Sequence, residues 1–210
     1  MLFKASLKEK ITLLEEVHHR VKNNMAAISS LLKLQANSIQ DNQVREIFKE
    51  SQSRIFAMAA IHKILHSSEN LSEINLGVYL SKVTASIFQT YSITSDQVVL
   101  KIDHEEMPIS INQASLLGLI IRELMSNALK YAFSNGRKGE ITVSMKKRPT
   151  AFALIVQDNG IGFADGLDWK NANTLGLTLL RTLVENQLDG SIDMENNNGT
   201  RIIIQFNIES

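Results

Sequence analysis

The first 66 residues of the chain contain neither glycine nor proline, whereas both residue types occur in the rest of the sequence. Because these two residues are the strongest breakers of regular structure, so long a segment without them favours continuous helix. Apolar residues recur there in steps of three and four, which is the spacing of one helical face. They are Leu7, Ile11, Leu14, Val21, Met25, Ile28 and Leu32 on a first helix over 6–35, and Val44, Phe48, Ile55, Met58 and Leu65 on a second helix after Asp41.

Two helices of this kind are expected to pack as an antiparallel hairpin, with Asp41 as the N-cap of the second helix. The hairpin leaves an outer apolar seam open, because each helix has only one neighbour within the chain. Pairing with a second copy into a four-helix bundle is an economical way to cover that seam. The sequence therefore predicts an all-α domain over residues 1–68 that forms a homodimer through residues 9–66.

Beyond a predicted hinge at 67–73, helix patterns alternate with strand patterns. The predicted elements are helices at 76–91, 115–132 and 175–187 and strands at 98–102, 140–145, 152–157, 191–194 and 201–207. The last four strands form two pairs that flank short turns, as antiparallel hairpins do. We therefore expect an α+β two-layer sandwich over 73–210, with helices on one face of a mostly antiparallel sheet.

Composition excludes several classes of function. Lys and Arg number 22 and Asp and Glu also number 22, so the net charge is zero and gives no basis for binding nucleic acid or an anionic membrane. The absence of cysteine excludes disulfides, thiolate metal sites and cysteine nucleophiles. The longest apolar run, at 114–121, is far shorter than the roughly 20 residues of a membrane span, and no signal peptide is evident. We expect a soluble, cytoplasmic segment without direct membrane contact.

Two adjacent histidines lie inside the first predicted helix. The helical register places His18 on the apolar seam and turns His19 toward solvent. A nucleophile or phosphoacceptor needs an accessible ring nitrogen, so His19 is the better candidate. Glu15, Glu16 and Asn23 lie about one helical turn away and can hydrogen-bond an imidazole. An ordinary polar face remains an alternative, whereas a metal site is disfavoured because no carboxylate pair lies at ligand spacing.

Three polar residues recur along the strongly apolar helix predicted at 115–132. Glu123, Asn127 and Lys130 are spaced by four and three, which places them on one helical face. A carboxylate, a carboxamide and an ammonium group suit a magnesium-bound polyphosphate, because they offer a base, a metal ligand and a positive charge. A solvated polar stripe is the alternative interpretation of the same spacing.

A glycine-containing turn follows the strand at 152–157. Asp158 ends the strand and can accept a hydrogen bond from an exocyclic amine, and Gly160 and Gly162 let the backbone approach a ligand closely. Gly176 opens the next helix, whose free N–H groups suit a phosphate. A dinucleotide-binding turn is excluded because the third glycine is missing and a loop follows.

In this order and spacing, the motifs resemble those of a sensor histidine kinase catalytic core. The helical segment at 9–66 is similar to its dimerisation and phosphoacceptor hairpin, in the subfamily whose box reads His-His-Arg-Val-Lys-Asn-Asn. Residues 73–208 resemble a Bergerat-type ATP-binding domain. Its motifs correspond to an asparagine box at 123–132, a first glycine box at 158–162, a second at 175–177 and a closing motif at 199–200.

The resemblance implies roles at the matching positions. His19 is the implied acceptor of the γ-phosphoryl group, because Asn23 lies four residues after it as the family pattern requires. Glu123 is the acidic member of the asparagine box and is implied to order the nucleophile or a water. The implied nucleotide contacts are Mg²⁺ binding by Asn127, phosphate contacts by Lys130 and Tyr131, adenine recognition by Asp158 and support of that aspartate by Thr200.

Two positions depart from the family pattern. Arg20 follows the implied acceptor where many histidine kinases carry an acidic residue, so the identity of the general base is open, with Glu15 and Glu16 as candidates. Thr174 stands where the second glycine box commonly has its first glycine, which bears on how the segment between 163 and 175 closes over a nucleotide.

The implied activity is ATP- and Mg²⁺-dependent autophosphorylation of a histidine, followed by transfer to an aspartate in the receiver domain of a response regulator. Two alternatives remain. The chain could be an ATP-driven conformational switch or hydrolase without a phosphoacceptor, or a phosphotransferase of the same fold without autokinase activity.

Overall fold

The structure, a computed structural model, shows two compact units, residues 1–67 and 68–210. It describes residues 2–66, 74–91, 96–107, 109–133, 136–163, 169–172, 174–196 and 198–207, without the side chains of residues 2–15, 18, 19 and 66. The predicted hinge at 67–73 lies outside the described residues. Within the described part of the chain, we find no helix whose length and hydropathy suit a membrane span.

The first unit is a hairpin of two helices, α1 (Leu2–Ser38) and α2 (Asn42–His66). Asp41 caps α2 as predicted: its Oδ1 accepts the N–H groups of Gln43 at 2.7 Å and Val44 at 3.2 Å. The guanidinium of Arg45 donates to the Ile39 carbonyl at 2.7 Å and covers the end of the preceding helix. Local polar groups therefore define where the chain reverses.

Burial within the helical hairpin agrees only in part with the predicted apolar seam. Ser29 and Ala36, one heptad apart on α1, are 1% and 4% exposed, although neither belongs to the predicted seam. Ile28 does belong to it, yet it is 49% exposed, and Val44 on α2 is 39% exposed. On α2, Ile61 and Leu65 are 3% and 4% exposed, and Leu65 belongs to the predicted seam, so the seam is buried in part and part of the apolar stripe stays uncovered within one chain.

The second unit contains a five-stranded sheet in the order β1-β2-β3-β5-β4. The strands are β1 (Val98–His104), β2 (Gly139–Lys147), β3 (Phe152–Asp158), β4 (Ser191–Asn196) and β5 (Thr200–Phe206). The β1–β2 pair is parallel and the other three pairs are antiparallel. The mostly antiparallel sheet and both predicted strand hairpins are confirmed.

Helices α3 (Leu76–Thr90), α4 (Ile111–Asn127) and α5 (Leu175–Arg181) supply the rest of the core. Apolar residues of the helices and of alternate strand positions are fully buried, among them Leu80, Leu117, Ile121, Ile141, Leu154, Leu180 and Ile204. Ser110 and Gln113 form a capping box at the beginning of α4. The Gln113 side chain also donates to the Asn207 carbonyl at 2.9 Å, which ties α4 to the end of β5.

The helix predicted over 115–132 changes from α-helix to π-helix near its C-terminal end. It is α-helical to Asn127 and continues as a π-helical turn over Ala128–Ala132, and a second π-turn, Thr182–Gln187, follows α5. A π-turn has more residues per turn than an α-helix and often lies at a functional site. In an α-helix, Lys130 would lie almost above Asn127 on the same face. The π-turn changes the angle between these two residues about the helix axis.

Candidate nucleotide site

Asp158, the last residue of β3, is a buried carboxylate surrounded by hydrogen-bond donors. Its Oδ1 accepts the backbone N–H of Gly160 at 2.9 Å and that of Thr200 at 3.2 Å, and the Thr200 hydroxyl also bonds to it. Burial raises the pKa of this carboxyl above its ordinary value, while the hydrogen bonds from Gly160 and Thr200 and the charge of Arg137 oppose that rise. The structure thus brings Asp158, Gly160 and Thr200 together, with lone pairs left to accept a ligand amine.

Two glycines allow the close approaches that this arrangement requires. A Cβ on Gly160 would overlap Ala132, whose carbonyl oxygen accepts the N–H of Ile161 at 3.2 Å. Gly199 has φ +127°, and a Cβ there would overlap the carbonyl oxygen of Asp158. The Asp158 turn is therefore in contact with the end of the π-turn on one side and with the beginning of β5 on the other.

The polar face predicted for α4 is not a solvated stripe. Glu123 is 3% exposed and Arg122 is 7% exposed, and their charged groups lie 3.7 Å apart. Asn127 is half-buried at the end of α4. The polar row thus runs from the core to the surface, which favours a role for Glu123 and Asn127 in a site over simple hydration.

Lys130 and Tyr131 lie on the π-turn and are both exposed, Tyr131 by 62%. Positive charge and a phenol at an exposed end of a helix can contact the phosphates of a bound nucleotide. Among the described residues, no group of three or more acidic or histidine side chains is placed to hold a metal ion. A Mg²⁺ ion beside Asn127 would therefore take most of its ligands from phosphates and water, as this ion commonly does.

Three residues that sequence reasoning missed support the segment at 158–163, which contains the turn at Asp158. Asn159 exchanges hydrogen bonds with the backbone of Glu140 at the beginning of β2, and Arg137 donates to the Asn159 carbonyl at 3.2 Å. The Asn196 side chain donates to the Phe163 carbonyl at 2.9 Å, next to Gly162. The motif at 158–160 contains Asn159 and could have pointed to it. The hydrogen-bond partners of Asn159, Arg137 and Asn196 lie 19 to 33 positions away in sequence, so the sequence does not show these contacts.

The predicted second glycine box lies at the beginning of α5, where Gly176 is the second residue. Thr174 is the N-cap of this helix, and its hydroxyl oxygen accepts the Leu177 N–H at 3.4 Å. Thr174, at a position where the family pattern commonly has glycine, thus provides the N-cap of α5. Arg181, at the other end of α5, donates to the carbonyls of Lys170 and Ala172 and fixes the chain before the helix.

Both histidines of the predicted phosphoacceptor box lie within α1, in the other unit, and their side chains lie outside the described residues. Beside them, Glu16 and Arg20 form an exposed ion pair at 2.5 Å, one helical turn apart. Asn23 is exposed on the same helix. Arg20, which replaces the acidic residue that often follows the acceptor, therefore binds Glu16, one of the two candidate bases.

Comparison with protein families gives two matches. Residues 16–91 match the family described as histidine kinase. Residues 112–210 match the family described as histidine kinase-, DNA gyrase B- and HSP90-like ATPase. The first match contains the histidine pair, and the second contains Glu123, Asn127, Asp158 and Thr200.

Several known proteins are similar to most of the chain. The sensor histidine kinase PdtaS of Mycolicibacterium smegmatis is 29% identical over 97% of this chain, which spans 41% of the relative's length. A solved structure of the blue-light-activated histidine kinase of Erythrobacter litoralis superposes with a TM-score of 0.66 at 25% identity, covering 93% of this chain and 62% of the other. The catalytic domain of the histidine kinase ThkA, at 18% identity and a TM-score of 0.53, covers 64% of this chain and 94% of the other, and shares its fold.

Proposed function

Because this chain belongs to the histidine kinase family, we propose that it transfers the γ-phosphoryl group of ATP to His19, on its own chain or on a second copy. One combination carries the proposal: a helical hairpin that contains the histidine box is joined to an ATPase-type domain with a buried, hydrogen-bonded Asp158. Each part alone is compatible with other functions. Together they supply an acceptor and a donor site within one chain.

In the proposed nucleotide complex, Asp158 accepts a hydrogen bond from the exocyclic amine of adenine, and Thr200 and Gly160 hold its carboxylate in place. Asn127 supplies a protein oxygen to Mg²⁺, while Lys130 and Tyr131 contact phosphate oxygens. Gly162, in the loop after β3, and Gly176, at the beginning of α5, lie beside the nucleotide in this complex. When bound, Mg²⁺ would neutralise the charge that develops on the phosphates.

Phosphoryl transfer then requires little covalent chemistry from the protein. A neutral ring nitrogen of His19 attacks the γ-phosphorus, the bond from that phosphorus to the bridging oxygen breaks, and ADP leaves. The other ring nitrogen gives up its proton to a base, for which Glu15 and Glu16 are candidates. Glu123 orders the nucleophile or a water, held in place by its buried neighbour Arg122.

Labelling with γ-labelled ATP tests the proposal directly. We expect a covalent, acid-labile label on the wild type and on His18→Gln, and none on His19→Gln, because only His19 is proposed to face the nucleotide. Circular dichroism and light scattering of the three proteins serve as folding and assembly controls. A label that survives His19→Gln and disappears in His18→Gln would show that the predicted register is wrong by one residue.

Two further parts of the proposal concern partners. The phosphohistidine would pass its phosphoryl group to an aspartate in the receiver domain of a response regulator, and the hairpin would form a homodimer. When candidate receiver domains are added one at a time to the labelled protein, we expect the label to be transferred to one of them. A wild-type protein that hydrolyses ATP without ever being labelled would favour the alternative of an ATP-driven switch.

A further inference from the structure

Tyr91 and Ser126 connect the end of α3 to the end of α4, immediately before the proposed Mg²⁺ ligand Asn127. Their hydroxyl groups are hydrogen-bonded to each other, although the two residues lie 35 positions apart in sequence. Ser126 is 4% exposed, and Tyr91 is half-buried as the C-cap of α3. The bond therefore lies largely away from solvent and joins two helices of the core.

The bond lies where α4 changes its hydrogen-bond pattern. Asn127 is the last α-helical residue, and the π-turn begins at Ala128, whose N–H is shared between the carbonyls of Leu124 and Met125. An α-to-π transition changes the carbonyl to which each N–H bonds, so the side-chain directions around it depend on contacts from outside the helix. Ser126 makes such a contact one residue before Asn127.

A buried serine in a helix can also bond within its own helix. Its hydroxyl can donate to the carbonyl four residues earlier, which for Ser126 is that of Arg122, and bonds of this kind often bend a helix. The Tyr91 hydroxyl offers Ser126 a partner on another helix. Without that partner, the buried Ser126 hydroxyl is left to bond within α4, and the end of the helix is expected to shift.

We propose that Tyr91 and Ser126 are positioning residues that set the orientation of Asn127 toward Mg²⁺. Within the described residues 127–132, the Asn127 side chain makes no capping hydrogen bond, so the turn that follows does not hold its carboxamide. Tyr91 and Ser126 contact neither the nucleotide nor the metal in this proposal and act through the helix. The inference rests on the proposed function, since it assumes that Asn127 binds the metal.

ATP binding with and without Mg²⁺ tests the role of the pair. In Tyr91→Phe and in Ser126→Ala, we expect the affinity of the full chain for Mg²⁺-ATP to be about three- to tenfold weaker, which is the effect of one hydrogen bond. The affinity for ATP in the presence of a chelator should stay close to the wild-type value, because the metal contact is then absent in every protein. A merely structural role would lower both affinities together.

A double-mutant cycle shows whether the two hydroxyl groups act as one contact. The variant with both Tyr91→Phe and Ser126→Ala should bind Mg²⁺-ATP about as weakly as the weaker of the two single variants, because the same bond is lost in all three. Additive losses would overturn the proposal, since the two hydroxyl groups would then act independently.

Amide hydrogen exchange of the nucleotide-free proteins is a second readout that needs neither metal nor ATP. Exchange at residues 126–132 should be faster in Tyr91→Phe and Ser126→Ala than in the wild type, because the end of α4 has lost its contact with α3. Exchange in the strands should remain unchanged.

Tyr79→Phe is the matched control, because it also removes a tyrosine hydroxyl that connects α3 to α4. Tyr79 is 3% exposed, and its hydroxyl donates to the Ala114 carbonyl at 2.5 Å. Ala114 lies near the beginning of α4, about 18 Å from Ser126 along the helix axis. Tyr79→Phe should lower the midpoint of thermal unfolding and leave the affinity for Mg²⁺-ATP unchanged.

The outcomes separate this inference from the proposed function. If Tyr91→Phe and Ser126→Ala keep the wild-type affinity for Mg²⁺-ATP, the positioning role is wrong and the proposed function stands. An equal loss of affinity in Tyr79→Phe would also overturn the inference, because weaker packing between α3 and α4 would then explain it. If the wild type does not bind Mg²⁺-ATP, the proposed nucleotide site is wrong and the inference fails with it.

Discussion

Asn127 and His19 lie in different units of the chain, so substitutions at these two residues should separate nucleotide binding from phosphoryl acceptance. Asn127→Ala removes the proposed protein ligand of Mg²⁺ and should weaken Mg²⁺-ATP binding by about ten- to a hundredfold. Its affinity for ATP in the presence of a chelator should change much less. Isothermal titration with and without Mg²⁺ measures both quantities.

His19→Gln is the control for that prediction, because it alters the proposed acceptor and should leave ATP affinity close to the wild-type value. Equal losses of ATP affinity in Asn127→Ala and His19→Gln would contradict the assignment of binding and acceptance to separate units. Circular dichroism spectra of both variants distinguish a local effect from loss of fold.

At the scale of one element, helix α2 depends on the cap that Asp41 provides. Two backbone N–H groups lose their acceptor in Asp41→Ala, so we expect the free energy of unfolding to fall by about 1 kcal/mol. Urea unfolding followed by circular dichroism measures the change. Asp41→Asn retains a side-chain oxygen and should be close to the wild type.

Asn42→Ala serves as the neighbouring control for this cap, since Asn42 is the exposed first residue of α2. A loss of stability in Asn42→Ala as large as that in Asp41→Ala would show that the cap is not the cause. The Arg45 bond to the Ile39 carbonyl involves neither substituted side chain, so the comparison isolates the beginning of α2.

At the scale of the whole molecule, the proposed dimer depends on apolar side chains that one hairpin leaves uncovered. Ile28 and Leu31 on α1 are 49% and 61% exposed, and Phe56 on α2 is 59% exposed. Ile28→Glu introduces a charge into this surface and should shift the full chain from dimer to monomer in light scattering. A fragment that contains only residues 73–210 should also be monomeric.

Val99→Glu is the matched control for the dimer prediction, because Val99 is 47% exposed on β1 in the other unit. It should leave the mass of the assembly unchanged. A dimer that survives Ile28→Glu, or a dimeric 73–210 fragment, would refute association through the hairpin.

The sequence alone determined the features that depend on neighbours within a few residues. The break-free, periodic pattern before residue 67 predicts the helical hairpin, and Asp41 caps its second helix as expected. Alternating apolar residues predict both strand hairpins, because only a short turn separates the two strands of each pair. The motif at 158–162 likewise pointed to Gly160, two residues after the buried carboxylate, whereas Thr200, 42 positions away, was identified only through the resemblance to the family's motifs.

Only the tertiary structure decided which distant groups meet. The sequence did not show that Arg137 and Asn159 hold the Asp158 turn, because the donor and acceptor lie 22 positions apart. It did not predict that Glu123 is buried beside Arg122, nor that Ser29 and Ala36 line the contact between α1 and α2. Periodicity gives the side of a helix that is apolar, whereas the width of the covered stripe depends on how closely the neighbouring helix packs.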